Sequence, residues 1–446
     1  MLQVKDVKIT KDDPFINDKL NRKDDIEFLT SLINTLTEPF VISINAPWGT
    51  GKSTFIKMWE RYLENLNIQS IYFNAWENDF TNEPLIALIG EINEFFHECT
   101  KKNRDLLKQI KKLKEHGAHL IKKDITDFIN TNSSSDKSNE DLFAEYVKDK
   151  IDSYSWEKDI HKNFKREVAE FAKIVTADKK PFVIFIDELD RCRPSYAIEL
   201  LEIINHYFSV ENIVFVLAVD REQLLNSIEM VYGNNMDSDG YLRKFIDLDI
   251  KLPKVSVEVY IDYLIFERFK LSKLEILENK IENLSSSMSS IANIYDLSLR
   301  EIEQCLIQVN MLVRTKFKEW NISGELLGFL ITFRIAKPEL YAKFISKETS
   351  GRVVIKELKK SLDGQNFLKT YQMLEVFLLS AFLDFYQYNI LMGEYKNMAE
   401  DSERDEKDRE KAKKMFERFK ASKKDFHDEM PTYLKEIELI DKYLVN

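Results

Sequence analysis

The sequence predicts an α/β protein built on a five-stranded, mainly parallel sheet, with a helical insertion inside the sheet-forming part and an all-helical region after it. Short apolar runs at Phe40 to Ile44, Ser70 to Asn74, Phe182 to Asp187, Ile213 to Asp220 and Phe245 to Leu252 are mostly continuous rather than alternating, the pattern of strands covered on both faces. Helical spacing falls between them. Ser195 to Phe208 carries Ile198, Leu201, Ile203, Ile204 and Phe208, and Arg221 to Tyr232 repeats the pattern with Leu224, Leu225, Ile228 and Val231. After Pro253 no comparable strand signal follows, and periodic helices continue to Asp441.

Taken in order, the expected organisation is a sheet-bearing core at residues 1–80 and 181–253, an insertion at 81–180, and helical regions at 254–330 and 331–446. The gap from Thr81 to Lys180 is far longer than an ordinary crossover. Its lysine-rich amphipathic segments, Glu91 to Ile129 and Asp141 to Ile174, flank the polar stretch Asn130 to Asp141, so a helical arm with a mobile tip is expected. Lysine pairs along it (Lys101 and Lys102, Lys111 and Lys112, Lys122 and Lys123) read as solvated helix faces. Asn283 to Ser290, NLSSSMSS, reads as a turn before a helix at Asp296 to Val313, and Lys337 to Pro338 as a further boundary. Met373 to Phe385 reads as a buried helix, and the charged run Asp401 to Lys414 as an exposed helix or hinge.

With 446 residues, 44% hydrophobic and 32% charged, the chain is long enough for several domains. A formal charge of -11 argues against whole-surface attraction to nucleic acid or anionic lipid, which leaves nucleic acid a secondary possibility. The start lacks the layout of a signal peptide, and no stretch reads as a transmembrane span. Cys99, Cys192 and Cys305 are widely spaced with no CxxC pair, which suits free thiols in a reducing cytoplasm. His116 and His119 lack neighbours of metal-site spacing, so no metal centre is expected there.

The chemistry concentrates at Ala46 to Thr54, APWGTGKST, which follows an apolar run and opens a helix-compatible segment from Phe55 to Leu66. That is the setting of a phosphate-binding loop. Pro47, Trp48, Gly49, Thr50, Gly51, Lys52, Ser53 and Thr54 are the expected binding residues: the glycines let backbone N–H groups turn toward a phosphate, Lys52 reaches the β/γ-phosphates, and the Ser53 hydroxyl is placed for Mg²⁺. Ala46 stands where the usual pattern has glycine. Hydrolysis needs more than a loop: a metal-holding carboxylate, an activated water and charge stabilisation. In FVIFIDELD, Asp187 at the strand's carboxyl end is the candidate Mg²⁺ ligand, Glu188 the candidate general base and Asp190 a competing acid; all three acids also suit helix capping. Asp220, ending IVFVLAVD, is a candidate polar contact between attacking water and γ-phosphate, or a cap for the helix at Arg221.

These motifs, in this order, resemble the KAP family of P-loop NTPases, within the broader AAA-like and signal-transducing NTPases. The resemblance covers roughly Asp12 to Asn310: DDPFINDKLNR, NAPWGTGKST, FNAWEN at Phe73 to Asn78, IDELDRCRP at Ile186 to Pro194, FVLAVDREQL at Phe215 to Leu224 and YLRKFIDLDIKLP at Tyr241 to Pro253. It implies a P-loop NTPase core with the phosphate-loop strand central, a helical lid over 254–330, and ATP with Mg²⁺ as ligands. It also implies that Arg300 in LSLREIEQ reaches the γ-phosphate, that Arg243 beside Lys244 projects into a neighbouring subunit's site, and that Arg22 is a candidate neighbour of the adenine. Many relatives carry membrane helices in the insertion, whereas this insertion is hydrophilic. Guanine-reading patterns at Thr10 to Asp13 and Ser422 to Asp425 follow no core strand, which favours ATP.

The expected function is therefore a Mg²⁺-dependent ATPase acting as a conformational or assembly switch, as a homo-oligomer or with a partner effector. The resemblance adds bacterial antiphage defence as a setting. The alternatives are a nucleotide-bound scaffold with little turnover and an ATP-dependent nucleic-acid remodeller.

Overall fold

The computed structural model describes residues 9–99, 104–121, 158–176, 180–274, 277, 280–315, 323–422 and 434–438. These fall into two compact units that divide after Lys254.

In the first unit the elements run α1 (Lys23–Ile33), β1 (Phe40–Asn45), α2 (Lys52–Asn65), β2 (Ser70–Asn74), α3 (Pro84–Cys99), α4 (Arg104–Ile121), α5 (158–175), β3 (Phe182–Asp187), α6 (Pro194–Tyr207), β4 (Ile213–Val219), α7 (Arg221–Tyr232), α8 (Ser238–Leu242) and β5 (Leu248–Lys251). The five strands form one sheet in the order β2-β3-β4-β1-β5, and every pairing is parallel. The phosphate-loop strand β1 is interior, between β4 and β5, one place from the middle of the sheet. β5 is shorter than the apolar run at Phe245 to Leu252; just before it Asp247 donates its backbone N–H to the Val41 carbonyl at 3.0 Å and accepts the Val41 N–H through its side chain at 2.8 Å.

β3 and β4 are buried at every position, which explains their unbroken apolar runs. Alternate residues serve opposite faces. Val183, Phe185, Val214 and Val216 pack with Ile26 and Leu29 of α1 and with Phe55 and Trp59 of α2. Trp59 lies 5.3 Å from Phe185 by ring centroids and donates its indole N–H to Thr30 Oγ1 at 2.9 Å, fastening α2 to α1. Phe182, Ile184, Phe215 and Leu217 face the other way, onto α3 to α7.

That second face includes the described helices of the insertion, the expected helical arm. The described helices of the insertion belong to the core: Phe96 of α3 and Phe171 of α5 stand 5.8 and 5.6 Å from Phe182 and 5.4 Å from each other. Gln109 on α4 donates to the buried Glu167 carboxylate of α5 at 2.6 Å, tying these two helices together. The stretch Asn130 to Asp141 lies outside the described residues.

The second unit is helical: α9 (Val257–Asp262), α10 (Ile281–Ile294), α11 (Leu299–Thr315), α12 (Gly324–Ala336), α13 (Pro338–Ile345), α14 (Gly351–Leu358), α15 (Leu362–Thr370), α16 (Gln372–Ser380), α17 (Phe385–Glu400) and α18 (Glu406–Ala421). One hydrophobic cluster runs through it from Ile261 to Ile437. The expected turn at Asn283 to Ser290 is instead the middle of α10, where Ser285, Ser287 and Ser289 are buried beside Leu284, Met288 and Ile291. Small side chains are the reason. α12 packs so closely that a Cβ on Gly324 would come within 2.2 Å of the Lys280 carbonyl, and one on Gly328 within 2.9 Å of the Leu284 carbonyl. The buried helix at Met373 to Phe385 ends early: α16 stops at Ser380, and Asp384 forms a capping box with Gln387 that starts α17. In the charged run Asp401 to Lys414, residues from Glu406 onward are helical, and α18 buries only Ala412 and Phe419.

Gly324→Ala should therefore destabilise the protein by about 1–3 kcal/mol through overpacking against backbone, despite alanine's better helix propensity. Urea unfolding followed by far-UV circular dichroism would register a lower midpoint, and an unchanged midpoint would contradict the close packing of α10 on α12.

Candidate functional site

All strands point the same way, so their carboxyl ends share one edge of the sheet. β4 is paired to β3 and β1 with Ala218 level with both Asp187 and Ile44. The loop after β1 and the acids after β3 therefore leave the sheet together, at the crevice where open α/β sheets bind ligands.

Ala46 fits its place without glycine's freedom. Its N–H extends the sheet pairing to the Val219 carbonyl at 3.2 Å, and its Cβ is buried in the core on the α1/α2 side. The left-handed positions come later, at Gly49 (φ +79°) and Gly51 (φ +89°), where a Cβ would be strained. Gly51 is the N-cap of α2 and supplies no side chain to its first N–H groups, leaving the positive end of the helix for an anion. The Thr50 hydroxyl donates to the Pro47 carbonyl at 2.8 Å and closes the turn; Pro47 and Trp48 are exposed, and Ser53 and Thr54 sit half-buried in the first turn of α2. Lys52 is buried and donates its ammonium to the carbonyls of Ala46 and Pro47. Burial lowers its pKa, opposed by the charges of Asp190, Asp220 and Asp187 in that order. The lysine of the loop and three acids from the ends of β3 and β4 thus share one electrostatic neighbourhood.

Asp187 is 1% exposed. One carboxylate oxygen accepts the Tyr72 hydroxyl at 2.8 Å and the other the Glu188 N–H at 2.9 Å. Glu188 adopts the left-handed conformation (φ +60°), an uncommon state for a residue with a Cβ. Its carboxylate pairs with Arg191 at 2.7 Å and accepts the Asn74 amide at 3.4 Å. Burial raises its pKa, and the Arg191 charge opposes the rise. Asp190 accepts the Trp48 indole N–H; burial raises its pKa as well, with that hydrogen bond acting against it. Asp220 caps α7, accepting the Glu222 N–H at 3.2 Å, while staying close enough to Lys52 to act on its charge.

The arginines divide. Arg22 is buried at the start of α1 and lies 3.6 Å from Asp25. Arg243 is exposed at the end of α8, paired to Asp239, which also holds Arg221. Arg300 is exposed in the first turn of α11 and belongs to the second unit.

The groups expected from the sequence to donate to a divalent cation are the Ser53 hydroxyl and the Asp187 carboxylate. Both are oxygen ligands, as Mg²⁺ requires, and this ion takes most of its remaining ligands from phosphates and water. Among the described residues no group of three or more His, Cys, Asp or Glu gathers as a ready-made metal cage, and none is needed for that mode of binding.

Several participants escaped the sequence reading. Asn74 accepts the Trp76 and Glu77 N–H groups at 3.1 and 3.2 Å while its amide reaches Glu188. Arg191 lies over the Trp76 ring, 5.8 Å from its centroid. Arg193 is clamped to Asp79 through its backbone N–H and guanidinium, and to Asn82. The segments 74–82 and 188–193, which carry the FNAWEN and IDELDRCRP motifs, thus meet along one contact surface.

A five-stranded parallel sheet with a glycine loop at a helix N-terminus and acids at the adjoining strand ends defines a P-loop nucleoside-triphosphatase fold. Residues 22–315, well over half of the chain, match the KAP family P-loop domain, and the protein belongs to that family. The chain is similar to the phage T7 exclusion protein of Escherichia coli (strain K12), 32% identical over 87 residues, a stretch that is 19% of this chain and 12% of that protein. Among solved structures it is similar to the ORC2 protein of Aeropyrum pernix (13% identity, 84% of this chain and 85% of that one, TM-score 0.34) and to C. elegans PCH-2 (13%, 72% and 69%, TM-score 0.30). Among the described residues no helix is long and apolar enough to cross a membrane.

Arg193→Ala should loosen the turn that follows β2. Amide hydrogen exchange over residues 75–82 should quicken several-fold while exchange in β3 and β4 stays slow; equal protection in both proteins would discount the clamp.

Proposed function

We propose that the protein is a Mg²⁺-dependent ATPase in which nucleotide binding and hydrolysis drive a change of conformation or assembly. The observation that carries this reading is the meeting of Lys52 with Asp187, Asp190 and Asp220 beside the open N-terminus of α2. In this reading the N–H groups of the loop and α2 hold the phosphates, and the Lys52 ammonium exchanges the carbonyls of Ala46 and Pro47 for the β/γ-phosphate oxygens. Ser53 and Asp187 hold the cation, which when bound neutralises charge on the transferring phosphoryl group. The Tyr72 hydroxyl and the Glu188 N–H keep the Asp187 carboxylate in one orientation. Glu188 takes the proton of the attacking water, and its raised pKa brings it toward the range useful to a general base. Asp220 contacts the water or the γ-phosphate from the end of β4. Arg300 and Arg243 are the proposed charge-stabilising arginines, the first from the helical region and the second offered to another subunit.

A second reading, a nucleotide-bound scaffold with little turnover, draws on the engagement of Glu188 by Arg191 and Asn74. A carboxylate held by a cation and an amide is a poor base until released, so a low basal rate that rises on assembly or partner binding reconciles both readings. The likeness to a phage exclusion protein, confined to 87 residues, supports a place in antiphage defence with a partner effector.

Lys52→Ala should abolish ATP binding by calorimetry. Glu188→Gln should retain it while phosphate release falls by a factor on the order of 10²–10⁴, the usual contribution of a positioned base. Equal phosphate release from wild type and Glu188→Gln would remove Glu188 from the mechanism, and no ATP binding by wild type would discard the reading altogether.

A further inference from the structure

The acid that competes with Glu188 has different surroundings. Asp190 lies in the single 3₁₀ turn Leu189–Arg191 after β3 and is 6% exposed. Its carboxylate accepts the Trp48 indole N–H, and the backbone N–H groups of Asp190 and Asp220 also act on it. Buried and bonded to the indole, this carboxylate offers water or a cation little access. Glu188, by contrast, keeps a half-buried carboxylate whose second oxygen is met only at 3.4 Å by Asn74.

The other end of the Trp48 bond is the apex of the phosphate loop. Ala46 fixes the entry of the loop to β4, Thr50 closes its turn internally, and Lys52 begins α2. Between them the backbone runs through Gly49 and Gly51, the residue type that loses most conformational freedom on ordering. A side-chain bond from Trp48 to a different element restrains that stretch before any ligand arrives. The charge of Asp190 near a triphosphate site is met by Lys52, whose foremost charge partner is Asp190.

We propose that Asp190 is a positioning residue, the anchor that holds Trp48 and with it the phosphate loop in its nucleotide-receiving shape, and that it takes no part in proton transfer or metal binding. The inference rests on the ATPase reading above and assigns the last two of the three acids of the DELD stretch to separate tasks: Glu188 to the reaction, Asp190 to the loop. Pre-ordering a glycine loop strengthens binding by reducing the ordering cost at the moment of association.

The full-length chain tests this by calorimetry with Mg·ATP and by phosphate release at saturating ATP. Trp48→Phe removes the indole donor at a position 45% exposed, where folding is not at stake. Asp190→Ala removes the acceptor, and Asp190→Asn keeps an amide oxygen able to accept the same N–H. Trp48→Phe and Asp190→Ala should each weaken ATP binding about tenfold, the scale of a hydrogen bond to a charged group. The double variant should be no worse than the weaker single, because both remove one interaction. Asp190→Asn should bind within about threefold of wild type, and in Trp48→Phe and Asp190→Ala the loss of ATP affinity should exceed any loss of turnover at saturating ATP. Phosphate release abolished in Asp190→Asn with ATP affinity intact would make Asp190 a catalytic residue and overturn the proposal. So would additive losses in the double variant, or wild-type affinity in Trp48→Phe, which stands as a test even if the alanine variant does not fold. Wild type that binds ATP alongside unaffected variants defeats the anchor alone, whereas wild type that binds no ATP defeats the functional reading beneath it.

Discussion

Complete burial of β3 and β4 on both faces leaves polar side chains no place along those strands except their ends. Since every pairing in the sheet is parallel, those ends lie on one edge, and the register that levels Asp187 with Ala218 and Ile44 sets the loop after β1 beside the acids after β3 and β4. The buried Lys52 ammonium depends on this arrangement. Burial alone would push it toward neutrality, and the charges of Asp190, Asp220 and Asp187 oppose that shift. The same acids, gathered at a strand edge without a cation, would repel one another. Sheet register and charge balance are therefore one constraint: the first brings the groups together, and the second makes their proximity tolerable.

A further set of contacts crosses from the end of β2 to the segment after β3. Asn74 to Glu188, Arg191 over Trp76, and Arg193 on Asp79 and Asn82 join residues 74–82 to residues 188–193. Glu188 sits at one end of this surface in a left-handed conformation that costs on the order of 1–3 kcal/mol, offset by the residues that grip it. Trp76 and Phe80 at the other end are exposed. The carboxylate proposed as the base is thus connected through Arg191 to an aromatic side chain on the surface, which makes the orientation of Glu188 dependent on the environment of Trp76.

Much of this was legible in the sequence because burial writes a simple code. The runs Ser70 to Asn74 and Phe182 to Asp187 and the helix Arg221 to Tyr232 coincide with the observed elements, since continuous apolar residues and a regular helical period admit few other folds. α10 was misread for a physical reason. Its serines mimic a loop in composition, while the apolar spacing of Ile281, Leu284, Met288 and Ile291 carries the helix, and the glycines that make small residues favourable lie on a partner some 40 residues later. The described insertion helices reach the core through Phe96, Phe164 and Phe171, aromatic anchors that lysine-rich surroundings concealed. Within the site, a motif names candidate acids but not the direction of their side chains, so Asp190 stood as a competitor to Glu188 for the role of base. Their separation came from the turn after β3, which directs one carboxylate to Arg191 and the other to Trp48.

The departure at Ala46 belongs to the same geometry. Glycine at the first position of the loop could make the same backbone bond to Val219 but has wider backbone freedom, whereas Ala46 adds a methyl group buried in the core. The entry of the loop is consequently stiff, and its conformational freedom is confined to Gly49 and Gly51. A loop fixed at its entry and at the start of α2 can still vary at its apex, where Trp48 stands. Holding that apex from the side requires an acceptor on another element at the same edge of the sheet, and the turn after β3 supplies it in Asp190. The alanine, the tryptophan and the last acid of DELD are thereby parts of one solution to ordering a glycine loop.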